Sequence, residues 1–220
     1  MSQYSKDLIA EIMERDPAAR SPLEVMFLYP GYKAVMRHRK AHWFYQKGIL
    51  LVARWLSERT RRRTGIEIHP GATIGKNLMI DHGTGVVIGE TTVIGDNCTI
   101  YQGVTLGGTG KETGKRHPTI GNNVLIGAGA KVLGPFTVGD NARIAAGAVV
   151  LEAVPENATA VGVPARVVRI DGIKPDSMDQ IHYSDPVWQE ICTTERKIQA
   201  LENKLQKMSD AYESADNYVI

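Results

Sequence analysis

Two short polar segments hold the residues of this chain that are best suited to chemistry. Asp81 precedes His82 in the first, and Arg116 precedes His117 in the second. A histidine can act as a general base because its pKa lies near neutral pH. The planar fork of an arginine fits a carboxylate. The two segments therefore predict an enzyme in which His82 accepts a proton while Arg116, with His117 as a further donor, holds an anionic group.

Both segments interrupt a six-residue repeat that runs from Ile68 to about Leu151. An aliphatic residue, usually followed by glycine or another small residue, recurs at positions 68, 74 and 80, then 88, 94, 100 and 106, then 120, 126, 132, 138, 144 and 150. This period predicts a parallel β-helix, in which each unit is a short strand and a turn and three units complete one coil. Unrelated strands of a β-sandwich are the alternative, but they would not keep the period.

The polar segments lie where the repeat loses its period. Eight residues instead of six separate Ile80 from Ile88, and this longer unit contains Asp81 and His82. A glycine-rich excursion leaves the repeat after Leu106 and returns at Ile120. Loops that leave a rigid solenoid commonly carry function, so we expect the active site at these two interruptions.

A general base of this kind needs a carboxylate that fixes its tautomer. Glu67 lies fifteen residues before His82, and one coil is about eighteen residues, so the two side chains can meet on facing coils or across chains. Asp81 is adjacent to His82, but successive strand residues point to opposite faces. We therefore expect Asp81 to contact substrate rather than to orient its neighbour.

A zinc site is the competing chemistry. His69, His82 and His117 together could supply three imidazoles, as in γ-class carbonic anhydrases built on the same repeat. However, His69 lies in the turn of the first repeat, and Arg116 beside His117 would repel a cation. We therefore expect no bound metal.

Composition limits the function classes. The 220 residues carry a net charge of +2 and are 43% hydrophobic, which allows a large core and makes no case for nucleic-acid binding. Cys98 and Cys192 offer neither a disulfide framework nor a metal spacing. The N-terminus lacks an apolar signal core, and no apolar run reaches the ~18 residues of a membrane span. We expect a cytoplasmic protein that does not enter a membrane.

Helical segments are predicted on both sides of the repeat, so the fold class is α+β. Ser21 followed by proline starts a helix, Pro30-Gly31 breaks it, and Gly65 ends the last helix before the repeat. The predicted segments are an N-terminal helical region at 1–65, a β-helix domain at 66–170, a linker at 171–184, a C-terminal heptad helix at 185–212 and a flexible tail at 213–220.

The heptad helix has a seam of residues spaced alternately three and four apart: Ile191, Thr194, Ile198, Leu201, Leu205, Met208 and Tyr212. About three heptads are short for a coiled coil that stands alone. The seam predicts either a three-stranded coil beneath a trimer or a helix packed on its own subunit, and we favour the coil.

Several motifs together resemble the serine acetyltransferase family. They are Ile68-His-Pro-Gly-Ala, Asp81-His82-Gly-Thr-Gly-Val-Val-Ile-Gly-Glu, Val104-Thr-Leu-Gly-Gly-Thr-Gly-Lys, Arg116-His117-Pro, Ala160-Val-Gly-Val-Pro-Ala-Arg and Arg15-Asp16-Pro17-Ala18. The resemblance covers about residues 14–170. It implies a left-handed parallel β-helix, an exception to the right-handed crossover rule. It also implies transfer of acetyl from acetyl-CoA to the hydroxyl of L-serine for cysteine biosynthesis.

The resemblance also implies roles for individual residues. His82 matches the general base, and Glu67 matches its carboxylate partner, which is aspartate in well-known members. The residues that match the L-serine site are Asp16, Asp81, Arg116 and His117. The residues that match contacts of acetyl-CoA, a co-substrate rather than a tightly bound cofactor, are Gly108, Thr109, Ala128, Ala146 and Arg166.

Assembly and partners are implied in the same way. Members that form dimers of trimers have a longer helical N-terminal region, so we expect a homotrimer here, with a dimer of trimers as the alternative. The terminal Ile220 is similar to the isoleucine with which this family enters the active site of O-acetylserine sulfhydrylase. Two other functions stay open: an acyltransferase of the same repeat class acting on a sugar or antibiotic hydroxyl, and a regulatory module acting through Ile220.

Overall fold

The structure is a computed structural model that describes residues 2–110, 113–169 and 186–216. It contains two compact units, Met1–Tyr183 and Ser184–Ile220. The predicted α+β class is confirmed: a helical region precedes a parallel β-helix, and a further helix lies near the C-terminus. No helix among the described residues is both long enough and apolar enough to cross a bilayer.

Four helices precede the β-helix: α1 (Gln3–Arg15), α2 (Pro22–Leu28), α3 (Pro30–Gln46) and α4 (Leu50–Thr64). The Ser21 hydroxyl caps α2 by accepting a hydrogen bond from the Glu24 amide, as the sequence predicts. Pro30 both ends the preceding segment and begins α3, because proline suits the first turn of a helix. Gly65 ends α4 in the left-handed conformation, with φ of 70°.

The described residues then form fifteen short strands: β1 (Glu67–Ile68), β2 (Thr73–Ile74), β3 (Met79–Ile80), β4 (Val87–Ile88), β5 (Val93–Ile94), β6 (Thr99–Ile100), β7 (Thr105–Gly107), β8 (Thr119–Ile120), β9 (Leu125–Ile126), β10 (Lys131–Leu133), β11 (Thr137–Val138), β12 (Arg143–Ile144), β13 (Val149–Val150), β14 (Ala158–Gly162) and β15 (Ala165–Arg169). The strands belong to three sheets, and all pairs are parallel except the closing hairpin β14–β15.

The three sheets are the three faces of a prism. Face A contains β1, β4, β7, β10 and β13; face B contains β2, β5, β8 and β11; face C contains β3, β6, β9, β12, β14 and β15. The chain visits the faces in the order A, B, C, so its turns form three edges, named here A–B, B–C and C–A. One aliphatic residue per strand points into the prism. On face A these stacked and buried residues are Ile68, Ile88, Leu106, Val132 and Val150.

The B–C edge has regular turns that asparagines link from coil to coil. Its turns share an asparagine in the left-handed conformation, with φ between 55° and 59°, and these residues are Asn77, Asn97, Asn123, Asn141 and Asn157. Several of their side-chain amides donate to the asparagine of the next coil, for example Asn141 to Asn157 at 3.0 Å. The other two edges are therefore the places where the scaffold can carry chemistry.

The second unit contains a single described helix, α5 (Pro186–Asp216), which covers the predicted heptad segment and extends four residues beyond position 212. The apolar side chains of its seam that the structure describes are exposed: Ile191, Ile198, Leu201, Leu205 and Met208.

Candidate active site

The first interruption of the repeat is a two-residue insertion on the C–A edge. The Asp81 amide donates to the Ile100 carbonyl of the next coil, as the Tyr101 amide does to Ile126. The edge becomes regular again at Thr84, whose carbonyl accepts from Gly103. In the next coil the equivalent residues, Tyr101 and Gln102, are adjacent in sequence. In the first coil His82 and Gly83 are inserted between Asp81 and Thr84. The catalytic candidate is thus itself the inserted residue.

The insertion holds His82 in an uncommon backbone conformation. Its φ is 54°, in the left-handed region that non-glycine residues rarely enter. Gly83 follows with φ of 77°, and a Cβ there would lie 2.5 Å from Cδ1 of Ile66. Only glycine lets the chain fold this closely onto Ile66. The two residues together therefore turn the His82 side chain out of the prism, where it is exposed.

His82 has no hydrogen-bond partner among the residues that the structure describes. Glu67 begins β1 of face A next to the C–A edge, directly after Ile66, on which Gly83 packs. Its carboxylate is 3.8 Å from Nε of Arg61, beyond hydrogen-bond range. Glu67 is therefore only loosely held by Arg61, and among the described residues no hydrogen bond or ion pair joins it to His82.

Tyr29 contacts Asp16 and lies within electrostatic range of Asp81. The Tyr29 hydroxyl donates to Oδ2 of Asp16 at 2.7 Å, and the Ala18 amide donates to Oδ1 at 2.8 Å. Burial, the hydrogen bond to Asp16 and the negative charges of nearby carboxylates, Asp81 among them, together raise the pKa of Tyr29 to about 12. The Tyr29 hydroxyl thus holds the carboxylate of Asp16 and also lies within range of the charge of Asp81.

The second interruption lies on the A–B edge, where Thr91 binds its returning segment. The Thr91 hydroxyl accepts hydrogen bonds from the amides of Arg116 at 3.0 Å and His117 at 3.1 Å. The Lys115 ammonium donates to the Thr91 carbonyl at 2.7 Å. A Cβ on Gly89 would lie 2.0 Å from Cδ2 of His117, so the imidazole packs directly on that glycine. The excursion is therefore fixed to the coil beneath it.

These contacts also determine the tautomer of His117. The Thr91 amide donates to Nδ1 at 3.2 Å, so Nδ1 is an acceptor and the proton of the neutral ring is on Nε2. Burial lowers the pKa of His117, and the positive charge of Arg116 lowers it further. His117 is thus held neutral, as a hydrogen-bond donor through Nε2.

Arg116 is oriented by two residues that the sequence analysis missed. Its Nη2 donates to Oε2 of Glu90 at 2.5 Å, and the Tyr45 hydroxyl donates to Oε1 of Glu90 at 3.1 Å. Burial opposes ionisation of Glu90, but the Tyr45 hydrogen bond and the charges of His69 and Arg116 outweigh it and lower the pKa of Glu90. The one available signal was Glu90 itself, a charged residue that closes the Asp81 motif.

Four of the five residues matched to acetyl-CoA divide between the same two edges. Ala128 and Ala146 lie on the C–A edge in successive coils, since the Gly147 amide donates to the Ala128 carbonyl at 2.8 Å. Gly108 and Thr109 lie in the excursion on the A–B edge, where Gly108 packs against the Arg116 backbone. The side chain of Arg166, in β15, is exposed. The structure thus brings these residues together in two groups and not in one.

The zinc alternative does not form within the chain. His82 is on the C–A edge, whereas His69 and His117 are on the A–B edge, with one prism face between them. Among the described residues, no three His, Cys, Asp or Glu side chains converge as metal ligands. Cys98 is buried, and burial raises the pKa of its thiol to about 11, which argues against a nucleophilic role.

Comparison with known proteins gives the family. The model of the bacterial transferase hexapeptide (six repeats) matches residues 117–152, and that of the hexapeptide repeat of succinyl-transferase matches residues 85–108. A serine acetyltransferase of Staphylococcus aureus (strain Mu50) is 51% identical over 221 residues, which cover 100% of both chains. The chain belongs to the serine acetyltransferase family. It is therefore an acyltransferase, as the two interruptions and their motifs predict.

Other serine acetyltransferases agree with this assignment. That of Synechococcus elongatus is 53% identical over 198 residues, which cover 90% of this chain and 81% of the relative. The crystal structure of the Neisseria gonorrhoeae serine acetyltransferase in complex with serine matches with a TM-score of 0.73 and 44% identity, over 76% of this chain and 68% of that one. Ile220, the predicted partner-binding residue, lies outside the described residues.

Proposed function

We propose that this chain transfers the acetyl group of acetyl-CoA to the hydroxyl of L-serine and so produces O-acetyl-L-serine for cysteine biosynthesis. The observation that carries the proposal is the inserted residue His82. It is exposed, unpaired among the described residues, and placed on the edge that bears Asp81 and adjoins Glu67. The alternative acceptors, a sugar or antibiotic hydroxyl, would not call for the amino-acid recognition groups around it.

The reaction is a direct transfer with no covalent enzyme intermediate. The imidazole of His82 takes the serine hydroxyl proton while the oxygen attacks the thioester carbonyl carbon. The carbon–sulfur bond then breaks, and the proton passes from the imidazolium to the CoA thiolate. Glu67 would turn from its 3.8 Å contact with Arg61 toward His82 and stabilise the imidazolium.

Charge complementarity supports L-serine as the acceptor. Arg116, oriented by Glu90, offers its remaining guanidinium donors to the substrate carboxylate, and Nε2–H of neutral His117 adds a further donor. The carboxylates of Asp16 and Asp81 can bind the substrate ammonium. A zwitterionic amino acid satisfies both groups at once, whereas an uncharged glycoside satisfies neither.

We further propose that the working enzyme is a homotrimer in which each site is built by two chains. The C–A edge carries His82, and the A–B edge carries Arg116 and His117, which would bind the substrate carboxylate. In a single chain face A separates these two edges. Three prisms packed around a threefold axis bring the C–A edge of one chain beside the A–B edge of the next. A dimer of trimers would leave this pairing unchanged.

The same arrangement accounts for acetyl-CoA as a co-substrate. It would lie in the groove between two prisms. One wall of the groove would be the small side chains Ala128 and Ala146 of one chain, and the other would be the excursion of the next chain, which contains Gly108 and Thr109. Arg166, in the closing hairpin, would supply positive charge for its phosphates.

An acetyl-CoA assay with an acceptor panel tests the proposal. Release of free CoA should depend on L-serine, and L-cysteine should compete because it presents the same ammonium and carboxylate to Asp16, Asp81 and Arg116. Turnover with a glycoside and none with L-serine would overturn the serine assignment. Turnover with neither acceptor would overturn the general-base proposal as well.

We also propose that the tail ending in Ile220 binds O-acetylserine sulfhydrylase, since an apolar residue with a free carboxylate suits an amino-acid site. Deletion of Ile220 should abolish binding to the sulfhydrylase and leave acetyl transfer intact; unchanged binding would refute this role. We assign the enzyme to the cytoplasm, where acetyl-CoA is available and where the free thiols of Cys98 and Cys192 stay reduced.

A further inference from the structure

Helix α5 presents an apolar seam that the described residues do not cover. Along it, Ile191 is 42% exposed, Ile198 50%, Leu201 60% and Met208 70%. A contiguous apolar stripe of this kind on a 31-residue helix indicates a partner. The question is which partner fits it.

The heptad positions identify the partner as the same helix of another copy. The a positions of the seam are Ile191, Ile198 and Leu205, and the d positions include Leu201 and Met208. In this register, positive residues flank one side of the seam and negative residues flank the other. Those at the g positions from 197 onward are Lys197 and Lys204, and those at the e positions are Glu195 and Glu202. Neither Lys197 nor Glu202 has an oppositely charged residue three or four places away within its own helix, so these charges are available to a neighbour.

The separation of charge selects the direction of pairing. In a parallel, in-register coiled coil a g residue faces the e residue five positions later on its neighbour, which pairs Lys197 with Glu202. An antiparallel pair sets g against g and e against e, so lysines would face lysines and glutamates would face glutamates. Glu190 opposite Glu195 is the one unfavourable pair of the parallel arrangement.

We propose that α5 forms a parallel, in-register coiled coil with the same helix of the other subunits, paired through Lys197 and Glu202. The three-stranded form rests on the homotrimer of the proposed function, because a threefold axis makes all copies of a helix parallel. Assembly of the β-helix domains raises the effective concentration of the α5 helices, which compensates for a seam of only about three heptads.

Disulfide trapping in the full chain tests this pairing. In a Cys192→Ser background, Leu201→Cys places a thiol at a d position, where equivalent residues of parallel strands meet within disulfide distance. Gln206→Cys, at the outward b position, is the matched control. Mild oxidation should link Leu201→Cys subunits in pairs and leave the Gln206→Cys protein unlinked. Equal linking of the two variants, or none in either, would overturn the proposal.

Charge exchange tests the direction independently of the core. In the Leu201→Cys protein, Lys197→Glu alone and Glu202→Lys alone should slow cross-linking, and the two together should restore its rate. Lys207→Glu, which makes the same charge change at an outward c position, should have no effect. Failure of the double exchange to restore the rate would contradict parallel pairing. Acetyl transfer by the same variants is measured separately, so a failed coil and a failed function are distinguishable.

Discussion

The two interruptions of the prism place histidines in opposite situations. His117, on the A–B edge, is buried, fixed by Thr91 and Gly89, and held as one tautomer. His82, on the C–A edge, is exposed and has no hydrogen-bond partner among the described residues. His42, which contacts the Pro70 carbonyl at 2.7 Å, resembles His117 in being anchored. One edge is thus preorganised within the chain, and the other is left open.

This difference indicates a division of labour. Groups that only bind substrate, the role that we propose for Arg116 with its Glu90 partner, gain from being fixed in advance, because less ordering is then lost on binding. The general base, the role that we propose for His82, must give and take a proton, and among the described residues of one chain its imidazole has no hydrogen-bond partner. The predictions below test whether the open edge serves catalysis and the anchored edge serves binding and stability.

The largest effect is expected at His82. Because the proton acceptor is lost, His82→Ala should lower kcat by roughly a hundred- to ten-thousand-fold while the KM for L-serine changes little. The control is Thr84→Ala, on the same exposed edge just after the insertion, which should keep kcat within a few-fold of the parent. Steady-state release of CoA is the measurement, and a kcat near the parent value in His82→Ala would remove the general base from the account.

Gly83→Ala is expected to disturb the open edge through the backbone. A Cβ there meets Ile66 at 2.5 Å and the residue has φ of 77°, so we expect a loss of about 2 kcal/mol in the free energy of unfolding together with displacement of His82 and a lower kcat. Gly48, with φ of 75° and open space around its Cβ position, is the matched control. Gly48→Ala should lose only about 1 kcal/mol and keep its kcat. Equal effects in denaturant titrations and assays would show that the close packing on Ile66 is irrelevant.

Glu90→Gln should weaken the anchored edge selectively. Removing the charge that orients Arg116 should raise the KM for L-serine by roughly tenfold, since a charge-assisted hydrogen bond is lost. The KM for acetyl-CoA should stay near its parent value, and Tyr45→Phe should give a smaller rise because Arg116 keeps its carboxylate partner. Parallel changes in both KM values would indicate general damage instead of positioning.

His38 offers the smallest effect and concerns stability alone. Its Nε2 donates to the Ala72 carbonyl, and its Nδ1 is buried with no hydrogen-bond partner in the described part of the chain. Burial together with the charge of His42 lowers the pKa of His38 to about 3. An unfolded histidine has a pKa of about 6.5, so below that pH the unfolded state binds the extra proton. As pH is lowered below about 6.5, this group should therefore reduce the free energy of unfolding by about 1 kcal/mol for each pH unit.

The measurement is urea unfolding at pH 7, 6 and 5 at one protein concentration. The variant His38→Gln retains a donor for the Ala72 carbonyl and cannot titrate, so its stability should decline less steeply than that of the parent. Identical slopes in the two proteins would contradict the assignment of a neutral, buried His38.

The period of the repeat predicted the prism, and its two interruptions predicted where the candidate residues lie. The repeat also determines the edge on which each interruption lies, which was not predicted above. Ile80 is the third repeat unit and Leu106 the seventh, and counting in threes assigns them to faces C and A. What such counting cannot supply is tertiary contact: Tyr45 reaches Glu90 because α3 packs beside the A–B edge, and no local pattern fixes that packing.

Mixed assembly tests the central claim, that one site needs the C–A edge of one chain and the A–B edge of another. His82→Ala and Arg116→Ala chains, each inactive alone, are unfolded together in equal amounts, refolded and assayed for release of CoA with L-serine. If each site draws its two edges from neighbouring chains, about one quarter of the sites in randomly mixed trimers contain both intact residues, and activity should recover to about that fraction of the parent. If instead each site belongs to a single chain, the mixture stays as inactive as its components, and the composite site is wrong.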